Sequence, residues 1–173
     1  TGAKCLVNPT LGKEYKLDLQ EIKEWYNGYK VNEYEIYNPK SVVEACERHK
    51  CKNYWTKTGT YETVKEHIKY NYDGLKEKVE LMIAGEKVKV NTRKFQNDMT
   101  DIKSADDVFT LLIHLGYLTY DEKTKLCWIP NYEVQQEFIN SIEDVPAYEK
   151  TYESIKLADE CLKATINGET EKV

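Results

Sequence analysis

The sequence predicts a mainly α-helical protein in which one β-hairpin lies between two helices. Three observations predict this fold class. Apolar residues recur at the spacing of an amphipathic helix in several segments. Capping residues stand directly before several of these segments. Two short strand-like runs are joined by a polar turn at residues 121–124, which is the pattern of a hairpin.

The first predicted helix follows a segment without periodicity. Residues 1–17 show no regular spacing of apolar residues, so we interpret them as a tail. Asp18 and Glu21 then form a start that resembles a capping box, and Gly28 ends the helix. The residues at helical spacing within it are Leu19, Ile22 and Tyr26.

A second helix is predicted from a pair of start signals. Asn38 is a favourable N-cap and Pro39 suits the first helical position, so the helix should run to about Lys50. Residues 31–37 alternate enough for a short strand or an extended link. Two further helices are predicted at residues 60–70 and 73–85, followed by a short strand at Val88 and Val90. The inward residues of these two helices are expected to be Tyr61, Val64, Ile68, Leu75, Val79, Met82 and Ile83.

The best-defined unit spans about residues 99–142. Ser104 caps a helix that Gly116 ends, the strands cover residues 117–120 and 126–129, and Asn131 opens the next helix. Helix, hairpin and helix give the outline of a winged-helix-like unit. The residues expected to pack together in it are Val108, Leu111, Leu112, Leu115, Leu118, Trp128, Val134 and Phe138.

These elements divide the chain into four predicted parts. They are a tail at 1–17, a helical subdomain at 18–91, a winged-helix-like unit at 92–145 and a linker helix at 146–173. The linker helix is predicted from Tyr148, Tyr152, Ile155, Leu162 and Ile166, with a break at Pro146 and an end at Gly168.

Composition restricts the classes of function. The chain of 173 residues has 25 basic and 30 acidic residues, a net charge of -5, which argues against a general nucleic-acid binder or a partner of anionic membranes. Its longest apolar run, residues 108–120, is too short for a transmembrane helix. An odd number of irregularly spaced cysteines favours reduced thiols, and hence a cytoplasmic protein, over a disulfide framework.

A zinc site is weakly suggested and then disfavoured by spacing. Cys46, His49 and Cys51 would lie at one helix end without an evident fourth ligand, whereas structural zinc needs four. His67 and His114 fit helical faces, and no Ser, Cys or Asp neighbour makes either one part of a catalytic triad. We therefore predict neither a metal site nor a catalytic residue.

The winged-helix-like outline suggests nucleic-acid binding as a hypothesis. In that mode the helix before the hairpin offers Arg, Lys, Asn or Gln to base edges. Residues 104–115 instead offer Asp106, Asp107 and a broad apolar face, and carboxylates there would repel phosphate. The unit is therefore predicted to serve in packing and interaction. The remaining basic patch, which we interpret as a solvated loop, comprises Lys87, Lys89, Arg93 and Lys94.

Two pairs of short segments carry a family resemblance. EWYNGY at residues 24–29 leads into YNPKSV at 37–42, and LGYLT at 115–119 leads into IPNYEV at 129–134. In order and spacing they resemble the C-terminal part of a family of predicted bacterial AAA-ATPase-like proteins, over roughly residues 19–142. The motif residues implied to form an interface are Trp25, Tyr26, Gly28, Tyr29, Tyr37, Asn38, Pro39, Gly116, Tyr117, Pro130 and Asn131. For the aromatic residues, helix packing is the simpler interpretation.

The resemblance implies a position between two catalytic domains. In the family a P-loop ATPase core precedes these segments, and a PD-(D/E)XK nuclease-like domain usually follows. Neither signature is present here, because Gly12-Lys13 has no glycine at P-loop spacing before it and Glu21-Ile22-Lys23 falls in a predicted helix. ATP and Mg²⁺ would thus belong to the parent protein, and no cofactor is expected in this chain. The missing initiator Met and the end at Val173 suggest an excised fragment.

We therefore expect a non-catalytic regulatory or lid segment that couples an ATPase core to a nuclease-like effector domain, both of them intramolecular partners. The alternative is a winged-helix nucleic-acid-binding module. The first hypothesis predicts that the isolated chain does not hydrolyse ATP. It also predicts that duplex DNA binds weakly or not at all, with a dissociation constant no better than about 10⁻⁴ to 10⁻⁶ M.

Overall fold

The computed structural model of this protein describes residues 14–32, 34–55, 65–69, 73–94, 102–143 and 145–168. These residues are mostly helical and include two small antiparallel sheets, so the predicted mainly α class with a β-hairpin is confirmed. Most of the predicted helix at 60–70 lies outside the described residues, and the part that is described, 65–69, is helical with Ile68 buried.

The named elements follow one another in chain order. The helices are α1 (Leu19–Tyr26), α2 (Pro39–Arg48), α3 (Leu75–Ile83), α4 (Ala105–His114), α5 (Tyr132–Ile142) and α6 (Glu149–Ile166). The strands are β1 (Tyr29–Val31), β2 (Tyr34–Ile36), β3 (Val88–Lys89), β4 (Thr119–Asp121) and β5 (Leu126–Trp128). Short 3₁₀ turns cover Thr92–Lys94 and Pro146–Tyr148.

The predicted helix starts are confirmed by their capping geometry. The Asp18 carboxylate accepts from the backbone N–H of Gln20 at 2.9 Å, and the Asn131 side chain accepts from Val134 at 3.1 Å. Ser104 and Asp107 form a complete capping box on α4. Side-chain acceptors of this kind satisfy N–H groups that have no partner inside the helix. The start of α3 differs by one residue, since Gly74 rather than Asp73 is its N-cap.

The first sheet is a hairpin of β1 and β2. Tyr29 pairs with Ile36 and Val31 with Tyr34. The sequence predicts only one strand or an extended link here. The difference arises because Asn32 adopts a left-handed conformation, with φ of 56°, and Asn is one of the few residues that tolerates it. The chain can therefore reverse direction within a segment whose alternation indicated a single strand.

The second sheet has three strands in the order β3-β5-β4. Its β4–β5 hairpin is the predicted one, with Thr119 opposite Trp128 and Asp121 opposite Leu126. Lys125 closes the turn, since its backbone N–H donates to the Asp121 carbonyl at 2.8 Å. The short strand predicted near Val88 joins this sheet by pairing with β5, so it is part of the same layer.

Two clusters of buried apolar side chains form the core. The smaller one joins α1 to α2 and contains Leu17, Ile22, Tyr26, Val42, Ala45, Cys46 and Cys51. The larger one lies between α3, α4, α5 and the three-stranded sheet, and includes Leu75, Val79, Val108, Phe109, Leu112, Cys127, Val134 and Phe138. Because this larger cluster spans residues on both sides of position 91, the predicted division at 91/92 does not separate two hydrophobic clusters.

One packing prediction is wrong, because Trp128 does not belong to the large cluster, whereas the predicted last helix is present with part of its apolar side exposed. Cys127 points into the large cluster, so its neighbour Trp128 lies on the opposite face of β5, where the Lys87 ammonium sits 4.0 Å from its ring centroid. In the second half of α6, Leu162 and Ile166 are 58% and 74% exposed. The first half of this helix packs against the large cluster through Tyr152 and Ile155, and in the second half Ala164 is buried.

The longest described helix is α6, with 18 residues. Among the described residues, no helix combines the length and the apolar character that crossing a membrane requires.

Candidate interaction site at the junction of the motif segments

The motif segments meet in space although they are far apart in sequence. Gly28 lies against Pro130 so closely that a Cβ atom at Gly28 would be 1.9 Å from the Pro130 carbonyl oxygen. Gly28 also has φ of 107°, a conformation that side-chain-bearing residues rarely adopt. Glycine is therefore required at this contact by two independent constraints.

A second contact joins β1 to the segment at 115–119. The Tyr29 hydroxyl donates to the Gly116 carbonyl at 3.0 Å, and the backbone N–H of Lys30 donates to Thr119 Oγ1 at 2.8 Å. Lys30 Nζ contacts Asp121 at 2.6 Å, and this hydrogen bond lowers the pKa of the Asp121 carboxyl to about 2. The first hairpin is thus attached along β4.

Tyr26 and Trp25 pack at the end of α1. The buried Tyr26 hydroxyl donates to the Lys52 carbonyl at 2.9 Å and accepts from the Lys52 N–H at 3.0 Å. The Tyr26 carbonyl accepts from the Asn38 N–H at 2.8 Å, which positions the start of α2. Trp25 meets Tyr132 edge to face, with ring centroids 4.7 Å apart. These aromatic side chains have packing roles in the folded chain.

The centre of the junction is the carboxylate of Glu133, which is 0% exposed. Its Oε2 atom accepts from Ser41 Oγ at 2.8 Å and from Asn38 Nδ2 at 3.2 Å. Its Oε1 atom accepts from the backbone N–H of Tyr54 at 2.7 Å. Asn38 and Ser41 belong to the segment at 37–42, and Glu133 belongs to the segment at 129–134. A buried acceptor therefore joins the two motif segments directly.

Burial dominates the electrostatics of this carboxylate. Removal from water raises the pKa of Glu133 above its ordinary value, while the hydrogen bonds from Tyr54, Ser41 and Asn38 act in the opposite direction. One turn further along α5, buried Glu137 accepts a hydrogen bond from Asn53 Nδ2. Together the two carboxylates hold residues 53–55 against α5.

An open cavity of about 460 Å³ adjoins this network. Its walls come from β1, the start of α2, residues 54–55 and the segment after α4. The side chains are mainly aromatic or apolar, which is typical of pockets that take apolar groups. They include Tyr29, Tyr37, Pro39, Trp55, Leu115 and Tyr117.

The residues considered as zinc ligands have packing and hydrogen-bonding roles. Cys46 and Cys51 are buried in the smaller cluster, and the His49 ring lies 2.9 Å from the Tyr15 carbonyl oxygen. Burial raises the pKa of the Cys51 thiol to about 11. Within the part of the chain that the structure describes, no group of His, Cys, Asp or Glu residues is arranged to hold a metal ion.

Sequence reasoning missed Glu133, Glu137 and Trp55. A signal for the first two was present, because Glu133, Glu137 and Ser141 recur at four-residue spacing beside the apolar residues of α5. An acidic residue beside an apolar stripe is more often exposed, so the spacing alone did not indicate burial.

Comparison with known proteins leaves the family open. No protein-family model, curated protein or solved structure matches this chain.

Proposed function

We propose that this chain is a non-catalytic regulatory or lid segment of a larger AAA-ATPase-like protein, in which it couples an ATPase core to a nuclease-like effector domain. The observation that carries the proposal is the open aromatic cavity beside Glu133. Six of the motif residues contribute to its wall: Tyr29, Tyr37, Asn38, Pro39, Gly116 and Tyr117. The cavity would receive an apolar segment of the ATPase core.

The chemistry of the junction favours binding over catalysis. The Glu133 carboxylate is enclosed and engaged by internal N–H and O–H donors, so it serves as a structural acceptor rather than as an accessible base. The cavity wall offers aromatic faces, and aromatic residues are enriched where protein interfaces are strongest. A change in the docked segment would act on Tyr29 and on the start of α2, and through them on both motif segments.

The alternative of a winged-helix nucleic-acid-binding module has mixed support. The three-stranded sheet packed against α4 and α5 fits a winged-helix-like unit. However, α4 buries Val108, Phe109, Leu111 and Leu112 and presents Asp106 and Asp107 at its start, so it is unsuited to the major groove. We therefore assign α4 a packing role.

The test requires the upstream coding sequence. If it encodes a P-loop ATPase core, that core can be expressed separately and titrated with this chain by isothermal titration calorimetry. We expect Tyr37→Ala, which removes part of the cavity wall, to weaken binding about tenfold or more. Tyr34→Ala is the matched control, because Tyr34 is 64% exposed on the same hairpin and lies outside the cavity lining.

Equal effects of the two substitutions would contradict the proposed docking site. The absence of a P-loop upstream would contradict the proposed place in an ATPase. ATP hydrolysis by this chain alone, abolished by a substitution within it, would contradict its non-catalytic role.

A further inference from the structure

A second concave surface lies beside β3 and the β4–β5 hairpin. It is a cleft of about 510 Å³ between α3, β3, the turn at Thr92–Lys94 and the β4–β5 hairpin. Its charged lining side chains are Lys78, Lys89, Arg93, Lys125 and Asp106. Only one of these five is acidic, although the whole chain has a net charge of -5. The cleft is therefore locally basic on a chain that is acidic overall.

The backbone positions two of these cations. Lys125 sits in the hairpin turn with φ of 62°, and its carbonyl accepts from the Val90 N–H at 3.0 Å, which ties the turn to the end of β3. The N–H of Arg93 donates to the Asn91 side chain at 3.2 Å. The Thr92 hydroxyl lies 3.5 Å from the Tyr120 hydroxyl, which places this turn above β4. Elements distant in sequence therefore bring basic side chains to one cleft.

The acidic residue of the cleft forms a long ion pair with one of the four cations. Asp106 Oδ1 lies 3.6 Å from Lys78 Nζ, an ion pair without a hydrogen bond, and Lys89, Arg93 and Lys125 are outside this pair. Among the described residues, no carboxylate lies within ion-pair distance of these three side chains. Neighbouring like charges repel one another, so a bound anion would relieve the repulsion as well as accept hydrogen bonds.

We infer that this cleft binds a phosphate group, supplied by a nucleotide or by a nucleic-acid strand, through Lys89, Arg93 and Lys125. Phosphate fits because it carries more than one negative charge and several acceptor oxygens, which can engage cations from different elements at once. This site is separate from the aromatic cavity, so its existence does not depend on the proposed docking of an ATPase core. It also differs from major-groove recognition, because Asp106 is the one lining residue that α4 contributes.

The test uses the full chain and two probes that contain phosphate. Inorganic pyrophosphate represents a small ligand, and a single-stranded oligothymidylate of about 15 nucleotides represents a strand. Binding is measured by calorimetry at low salt, and the bound site is located by amide chemical shifts in NMR spectra. We expect shifts concentrated at Thr92, Arg93 and Lys125. The double variant Lys89→Ala/Arg93→Ala should weaken binding about tenfold or more.

The control variant is Arg48→Ala/Lys150→Ala, which removes the same charge from exposed positions outside the cleft. The affinity of this control for each probe should be within about twofold of the parent's. The logarithm of its binding constant should fall with the logarithm of salt concentration as steeply as for the parent, whereas the cleft variant should show a shallower slope. Tighter binding of pyrophosphate would indicate a small ligand, and tighter binding of the oligonucleotide a strand. Failure of both probes to bind, shifts elsewhere on the surface, or equal losses in the two double variants would overturn the inference.

Discussion

At the scale of single residues, Glu133 connects segments that are separated by most of the chain. Ser41, which donates to it, lies 92 residues away in sequence. Glu133→Ala would leave the buried Ser41 hydroxyl and the half-buried donors of Asn38 and Tyr54 without their acceptor. Each unsatisfied buried donor costs about 1–3 kcal/mol, so we expect the free energy of unfolding to fall by about 3 kcal/mol or more. Urea unfolding measures this loss.

The control for this prediction is Glu122→Ala, because Glu122 is exposed in the hairpin turn. It should change stability by less than about 0.5 kcal/mol. If both substitutions have the same effect, the carboxylate of Glu133 does not hold the junction together.

The same carboxylate predicts a pH dependence. Burial raises the pKa of Glu133 above its ordinary value of 4.5, so the folded chain keeps this proton at a pH where the unfolded chain has lost it. As the pH rises from 4.5 toward the folded-state pKa, the unfolded chain binds fewer protons than the folded one, and the free energy of unfolding falls. The Glu133→Gln variant has no titrating group at this position, so its free energy of unfolding lacks this pH-dependent contribution.

We therefore expect the parent to lose stability relative to Glu133→Gln as the pH rises through this window. Urea unfolding of both proteins at a series of pH values gives the difference, in which the other carboxyl groups cancel. A relative gain of stability by the parent over the same window would contradict a raised pKa.

Glycine at position 28 is required for two reasons, and the chain offers a control that separates them. Gly28 has φ of 107° and abuts Pro130, whereas Gly85 has φ of 92° with nothing within 4 Å of an added Cβ. Gly85→Ala should therefore cost only the backbone strain, about 1 kcal/mol. Gly28→Ala should cost clearly more, about 3 kcal/mol or above, because the added atom meets backbone. Similar thermal unfolding midpoints for the two variants would mean that the contact with Pro130 is not made.

At the scale of elements, α4 supplies the apolar layer beneath the three-stranded sheet. Leu112 is buried in the large cluster, so Leu112→Ala should lower the free energy of unfolding by about 2–5 kcal/mol. Leu81→Ala is the control, because Leu81 is half exposed on α3. Chemical denaturation distinguishes the two. A Leu112→Ala variant as stable as the control would show that α4 does not form this layer.

Local signals explain which elements could be predicted from the sequence. The starts of α1, α2, α4 and α5 were predictable because each has a capping side chain within three residues of the N–H it satisfies. The hairpin of β4 and β5 was predictable because its turn and both strands are contiguous. The strand order was not, since β3 pairs with a strand more than thirty residues later in the chain.

The candidate site was predictable only in part, because its contacts join segments that are distant in sequence. The motif residues Gly28, Tyr29 and Gly116 were identified from the sequence, but their contacts join distant segments. Glu133 was within a quoted segment, yet its type indicated an exposed residue. The orientation of Trp128 was predicted incorrectly because the inward and outward positions of a three-residue strand depend on its register.

At the scale of the whole molecule, the two hydrophobic clusters are joined by the motif segments. One cluster contains α1 and α2, the other contains α4 and α5, and Glu133 lies where α2 meets α5. The attachment of β1 along β4 adds a second connection. We infer that the two motif segments form one cooperative junction, which supports the wall of the aromatic cavity.

A double-mutant cycle between Ser41→Ala and Glu133→Ala tests this claim most directly. The free energies of unfolding of the parent, both single variants and the double variant are measured by urea denaturation. We predict a coupling energy of about 1–3 kcal/mol, because either substitution alone removes the hydrogen bond between the segments. The matched cycle between Ser41→Ala and Glu122→Ala should be additive. Additivity within about 0.5 kcal/mol in the first cycle as well would contradict the junction.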